Sequence, residues 1–169
     1  MVNTPPESQR HNMPAELLFP LDDIDLSEVI GSYEHVGEVN PQEGDMRQLD
    51  HIIWTNTEKT HILGVKHLSD SEFWIPGHIP GRPLMPGVLM IEAGAQLSSY
   101  LYHLKTPGAP FVGFTRCDDV IFRGQVVPGD TLYLLGVETQ FRPRRFICKT
   151  QGVVNGAVVF EAQITGMVI

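Results

Sequence analysis

The chain has 169 residues, 42% of them hydrophobic and 8% aromatic, with a formal net charge of −8. That length predicts one domain with a real buried core and room for an appendage. The acidic balance argues against nucleic-acid binding, and no run approaches the roughly 20 apolar residues of a membrane span. Two cysteines, Cys117 and Cys148, are too few for a disulfide scaffold, and MVNTPPESQRHNM lacks the apolar core of a signal peptide, so the cytoplasm is the expected compartment.

The charge is unevenly spread. Residues 1–50 hold eleven Asp or Glu against Arg10 and Arg47, while the rest holds nine acids against ten bases. The acidity therefore belongs to an N-terminal arm, taken as residues 1–45, ahead of a near-neutral main domain over 46–169. Residues 1–15, polar and carrying Pro5, Pro6 and Pro14, read as disordered. Leu17, Leu18, Phe19, Leu21, Ile24, Leu26, Val29 and Ile30 are apolar enough to dock on the protomer or a neighbour, and Asp25 or Ser27 is expected to cap a short helix ending near Gly31.

From Leu49, HIIWTNT and KTHILGVKHL read as a hairpin around Glu58-Lys59. Phe73 and Trp74 lead into a loop whose Pro76, Gly77, Pro80, Gly81 and Pro83 exclude a helix or a central strand. Pro86 suits a first helical turn, and no further proline follows until Pro107, so a helix is predicted from Gly87 to about Leu104. Its apolar residues surround the axis, the mark of a buried helix. Thr106 to Pro110 form a turn. FVGFTRCDDVIF follows as a strand pair or one long bent strand, Pro128-Gly129-Asp130 as a turn. TLYLLGVETQF, RRFICKTQGVVN and AVVFEAQITGMVI alternate as three strands, with Asn155-Gly156 a strong hairpin turn. One long helix followed by a meander of long strands is an α+β arrangement.

Glu92 stands inside the apolar helix, where a carboxyl needs a partner, and Gln96 lies four residues on, on the same face. His78 sits on the Gly/Pro loop. A histidine and a carboxyl brought to one pocket make a general base and a general acid. The helix start at Gly87 offers N–H groups to an oxygen that gains negative charge. The other histidines (His11, His35, His51, His61, His67, His103) have no metal-ligand spacing and no Cys joins them. No phosphate-binding loop or dinucleotide fingerprint appears, so no metal and no cofactor are expected.

Residues 77–96, GHIPGRPLMPGVLMIEAGAQ, resemble the active-site segment of the β-hydroxyacyl-acyl-carrier-protein dehydratases, G-H-F-P-G-x-P-x-x-P-G-V-L-x-x-E-A-x-A-Q, with Ile79 in place of Phe. The resemblance runs over about residues 49–169. Leu49-Asp50-His51-Ile52 is similar to the family's Val-Asp-Arg-Val, and Arg123 to Asp130 resembles R-x-P-V-x-P-G-D with Gln125 in the first Pro place. It breaks at Glu43-Gly44-Asp45-Met46-Arg47, where the family has His-Arg-Tyr-Pro-Phe. The resemblance implies a hot-dog fold, a curled antiparallel sheet wrapping a long central helix. Glu92, where a double-bond-isomerising sister group has Asp, points to the dehydratase-only branch.

The implied reaction is reversible loss of water from a (3R)-3-hydroxyacyl thioester on an acyl carrier protein. His78 takes the α-proton, the Gly87 N–H holds the thioester oxygen, Glu92 protonates the departing hydroxyl and Gln96 orients Glu92. The resemblance also implies a dimer in which His78 and Glu92 meet from two protomers, or a trimer of such dimers. Phe73, Ile79, Val88, Leu89 and Phe111 are expected to wall the acyl tunnel. Carrier proteins are acidic, so Arg82, Arg123, Arg142, Arg144, Arg145 and Lys149 are docking candidates. Two alternatives stand beside this reading: a thioesterase of the same fold, its carboxylate activating water, and an acyl-binding or assembly subunit without catalysis.

Overall fold

The computed structural model describes residues 15–169; the expected disorder of the first residues falls almost wholly outside that range. The strands are β1 (His51–Thr55), β2 (His61–His67), β3 (Val112–Phe122), β4 (Thr131–Arg142), β5 (Arg145–Val154) and β6 (Ala157–Val168). The helices are α1 (Tyr33–Val39) and α2 (Gly87–Lys105), with a single 3-10 turn at Gly44–Met46. All strand pairs are antiparallel, in one sheet ordered β1-β2-β4-β5-β6-β3. The long helix packs across it, which is the expected α+β hot-dog architecture.

Local chemistry explains the turns. Asn155 and Gly156 both take positive φ, +50° and +77°, the pair of left-handed residues that a two-residue hairpin needs. In the β1–β2 turn Lys59 sits at φ +53°, and the Asn56 side chain accepts from Thr60 N and His61 N at 2.8 and 2.9 Å. FVGFTRCDDVIF is one strand rather than two. Its pairing with β6 slips between Phe114 and Arg116 and again between Asp118 and Ile121, and Asp119 has φ +52°. These bulges bend it without breaking it.

The central strands are buried on both faces. Ile52, Ile62, Leu134 and Val154 face α2, joining Leu97, Leu101 and Phe160 in the main core. Their chain neighbours Ile53, Leu63, Leu135 and Val153 face the other way and are covered by the arm, through Phe19 with Leu17, Leu18, Leu21 and Ile24. Alternation sends adjacent residues to opposite faces, so two-sided cover is why β2 is buried without a break from Ile62 to Lys66. Gln151 ties the arm down, accepting from Leu18 N at 2.8 Å and donating to Glu16 O at 2.9 Å. On the inner face α2 comes close to β5: a Cβ on Gly94 would sit 2.8 Å from Thr150 Oγ1.

The helix expected near residues 25–31 is absent. Asp25 instead accepts from Ser27 N and Ser27 Oγ, at 2.9 and 2.6 Å, in a local turn. The chain then runs extended, Ile30 N and Gly31 N donating to Ile52 O and Ile52 N donating to Gly31 O, so the arm adds a bridge to the outer edge of β1. Helix α1 begins only afterwards, its first turn capped by Ser32 Oγ, which accepts from His35 N.

Candidate active site

Two pieces of backbone bring the expected catalytic residues into position. The first is the Gly/Pro loop. Trp74 is buried, and its carbonyl accepts from Gly77 N at 3.2 Å and from His78 N at 2.9 Å. Behind it, Lys66 and Glu72 form an ion pair at 3.3 Å with side chains only 6% and 10% exposed. A pair so shielded is screened little by salt and fixes the entry to the loop. His78 itself is exposed. Its Nδ1 lies 2.8 Å from Leu84 O. A carbonyl oxygen can only accept, so Nδ1 carries the hydrogen of the neutral ring and Nε2 keeps a free lone pair. That is the tautomer a general base needs.

The second piece is α2. Gly87 opens it, and the Phe122 ring lies against the glycine: a Cβ there would stand 2.7 Å from the ring. Leu89 N donates to the N-cap carbonyl of Pro86 at 2.9 Å, while the Gly87 and Val88 N–H groups have no carbonyl within the helix to meet. Val88 beside it is 69% exposed. One turn further, half-buried Glu92 presents Oε1 to Gln96 Nε2 at 2.8 Å and to Gln42 Nε2 at 3.3 Å. Gln96 is 1% exposed. Its Oε1 accepts from Gln48 N at 2.9 Å, which fixes the amide's orientation, and its Nε2 also donates to Met46 O at 2.7 Å. Asn40 Nδ2 reaches the Gln96 backbone carbonyl at 2.9 Å. The segment from Asn40 to Gln48 therefore clasps the polar face of α2.

Glu92 borders a cavity of about 180 Å³ between α2, β3 and the hairpin of β5 and β6, with Gln42, Ala95, Ser99, Phe111 and Phe146 in its wall. The sides are apolar except at Gln42, Glu92 and Ser99. Nearby, Cys148 is buried against Ser98, and burial pushes its thiol up to about 12. It is inert as a nucleophile at neutral pH.

The other expected site residues divide. Phe111 lines the Glu92 cavity, and Leu89 is half-buried against the main core. Ile79, Val88 and Phe73 are exposed, and Phe73 borders a different depression with Asp45, Arg47 and Lys66. His78 is not in the Glu92 cavity wall of the same chain. Among the basic residues, Arg82 is exposed on the loop that carries His78. Arg123 is engaged by Glu161, at 2.6 Å from its Nε, and shares an outer groove with Lys149 and the arm. Arg142, Arg144 and Arg145 form a separate group at the β4–β5 hairpin. Asn40, Gln42 and Gln48 were not singled out by sequence. Their signal is faint: three amides within nine residues, next to the place where the dehydratase pattern lapses.

Residues 40–163 match the family model described as a FabA-like domain. The chain belongs to the FabA-like family. Curated relatives agree. A 3-hydroxyacyl-[acyl-carrier-protein] dehydratase FabZ from Protochlamydia amoebophila is 33% identical over 138 residues, covering 74% of this chain and 90% of that protein. The enzyme of the same name from Rickettsia akari is 31% identical over 153 residues, covering 86% and 96%. Among solved structures, the dehydratase heterocomplex ApeI:P from Xenorhabdus doucetiae superposes with a TM-score of 0.67 at 16% identity, covering 79% of this chain and 90% of that one. The Escherichia coli PaaI protein gives 0.55 at 12%, covering 69% and 80%. These structural likenesses carry the hot-dog fold of the FabA-like protein and nothing finer. The family match begins at residue 40, so it takes in the Asn40–Gln48 clasp and leaves out the arm segment that covers the outer face of the sheet.

Proposed function

We infer that this FabA-like protein is a 3-hydroxyacyl-[acyl-carrier-protein] dehydratase of fatty-acid or related lipid biosynthesis. The observation that carries the reading is a His78 ring held as a base by Leu84 O together with a Glu92 carboxyl held by Gln96 at a cavity walled by Phe111 and Phe146. In dehydration, His78 Nε2 removes the proton α to the thioester carbonyl. The charge that gathers on the carbonyl oxygen is met by the Gly87 N–H at the helix start. Glu92 gives a proton to the β-hydroxyl, the Cβ–O bond breaks, and water leaves as the Cα=Cβ bond forms. Each of the two proton transfers is worth about 10²- to 10⁴-fold in rate. The thioester supplies the electron sink, so the chemistry is redox-neutral and self-contained.

We place the working site between two copies of the chain. Strand β3 ends the sheet, is eleven residues long, and exposes Phe114, Val120, Ile121 and Phe122. A long apolar edge is a template for pairing with another chain. Phe122, 50% exposed, leans on Gly87, so a copy paired along β3 would arrive at the helix start. It would bring its own His78 to a Glu92 that lacks one. The substrate is carried by an acidic protein, and Arg82, on the same loop as His78, is the first docking contact we assign. Cys117 and Cys148 are free thiols, as suits the cytoplasm.

The test is hydration of crotonoyl- and longer 2-enoyl thioesters on an acyl carrier protein, followed by loss of the conjugated enoyl absorbance. Wild type is expected to turn over, with His78→Ala and Glu92→Gln folded and at least about a hundredfold slower. Release of free thiol instead of hydration would favour the thioesterase. Bound but unconverted thioester would favour an acyl-binding subunit. Mixing the two inactive variants is expected to restore part of the activity through hybrid dimers; no recovery after verified subunit exchange overturns the shared site.

A further inference from the structure

The stretch from Leu68 to Met85 carries His78 and belongs to no helix or strand. Its shape therefore depends on local contacts and on what holds its ends. One turn far along the chain, Val126 to Asp130, holds both. At the entry, Leu68 N donates to Asp130 O at 3.0 Å and Gly129 N donates to Leu68 O at 2.8 Å. At the exit, Met85 N donates to Val126 O at 2.8 Å, with Met85 and Val126 only 1% and 0% exposed. The exit bond bears directly on the base. Met85 N–H and Leu84 C=O are the two ends of one peptide unit, which is planar and stiff. Its oxygen end is the acceptor for His78 Nδ1, at 2.8 Å. Whatever fixes Met85 N therefore fixes the direction of Leu84 O.

The turn is closed twice. Pro128 and Gly129, the latter at φ +93°, follow the pattern of a type II turn, and Asp130 N donates to Val127 O at 3.1 Å. The Asp130 side chain adds the second closure, its Oδ2 accepting from Val127 N at 2.9 Å. We propose that Asp130 is a positioning residue for the base of this reaction: by locking the turn it holds Val126 O, through it the Leu84–Met85 peptide, and so the tautomer of His78. The proposal rests on the dehydratase reading. With hydrogen on Nδ1, His78 Nε2 keeps the lone pair that takes the α-proton. If the turn loosens, the peptide tilts and Leu84 O leaves Nδ1. The ring hydrogen is then free to move to Nε2, where it blocks the base. Asp130 itself moves no proton and acts only through the backbone. What it contributes is an acceptor oxygen, so an amide of the same shape should serve.

The test compares wild type with Asp130→Ala, which removes the acceptor, and with Asp130→Asn, which keeps it. Asp130 is half-exposed, so both variants are expected to fold. Crotonoyl thioester hydration gives kcat and KM, and inhibition by butanoyl thioester, which takes up no water, reports binding alone. The ring nitrogens are followed by 15N NMR of the neutral histidines, with His78 assigned by its absence in His78→Ala. Asp130→Ala is expected to lower kcat about ten- to a hundredfold, as a small misplacement of a reacting group does, with butanoyl inhibition within about threefold of wild type. Its His78 hydrogen should shift from Nδ1 toward Nε2. Asp130→Asn should return both readouts to near wild type. Unchanged kcat in Asp130→Ala overturns the proposal and leaves the dehydratase reading intact. So does a loss of kcat with the His78 tautomer unmoved, or a failure of Asp130→Asn to recover. If wild type hydrates no thioester, the dehydratase reading falls; the ring spectrum, which needs no substrate, still decides whether Asp130 holds His78.

Discussion

Around Glu92, one chain supplies nearly everything: Gln96 and Gln42 on the carboxyl, and Gln48 N, Met46 O and Asn40 on Gln96. Around His78 the described residues of the same chain supply one side-chain hydrogen bond, to Leu84 O, and leave the ring exposed. The acid half is built into the core of a protomer, while the base half is a projecting loop stiffened from behind by Trp74 and the Lys66–Glu72 pair. The contrast teaches how a site can be divided between copies. In the proposed shared site one half would be tied to folding and the other to assembly, so damage to the two halves should show up differently.

The largest difference is expected between Gln96→Leu and His78→Ala. Gln96→Leu strands the buried Gln48 N–H, at about 1–3 kcal/mol, and removes the bond to the Met46 carbonyl, so it should lose both stability and turnover. His78→Ala should abolish turnover while unfolding within about 0.5 kcal/mol of wild type, as exposed substitutions do. Equal loss of stability in the two, by denaturant unfolding, would break the comparison. Next comes Phe19→Ala, which removes the arm's main contribution to the outer core. About 2–4 kcal/mol of stability should go, with kcat per folded molecule unchanged, because Phe19 touches neither half of the site. Gly87→Ala is expected to cost about tenfold in kcat/KM by driving a Cβ into the Phe122 ring, and Phe122→Ala in the same chain should recover most of it.

The smallest effect belongs to His51, on β1. Burial and then the neighbouring His67, its ring 5.6 Å away, hold His51 below the ordinary histidine value of 6.5, with Asp50 opposing. The unfolded chain therefore takes up this proton before the folded one. The stability concerned is present above about pH 6.5 and is lost as pH falls through the lowered folded value. Thermal melts of His51→Gln between pH 7.5 and 5 should show a shallower decline than wild type. A steeper one would reverse the sign of the argument.

Much of this was legible along the chain. Pro86 and the proline-free run to Pro107 marked α2 almost to the residue, Asn155-Gly156 marked its hairpin, and His78, Gly87, Glu92 and Gln96 stood within twenty residues of one another. What was hidden depends on contacts distant in sequence. Asp25, Ser27 and Ser32 are all good capping residues; the choice of Ser32 follows the pairing of Gly31 with Ile52, which no local window contains. Gln42 and Gln48 act on residues 50 and 48 positions away, so no helical or strand period could reveal them. The free edge at β3 is likewise a property of the sheet order, β6-β3 closing one side.

The arm has one more consequence, which concerns time. Leu18 bonds to Gln151, 133 residues later, and Phe19 packs on strands that extend to Val153. During synthesis the arm leaves the ribosome well before its partners, and the surface it covers is complete only once residues 151–153 have been made. At about 5–20 residues per second, its apolar side chains wait on the order of ten seconds for their place. Asp22, Asp23, Asp25 and Glu28 lie between those side chains, and like charges on two such unfolded segments repel one another.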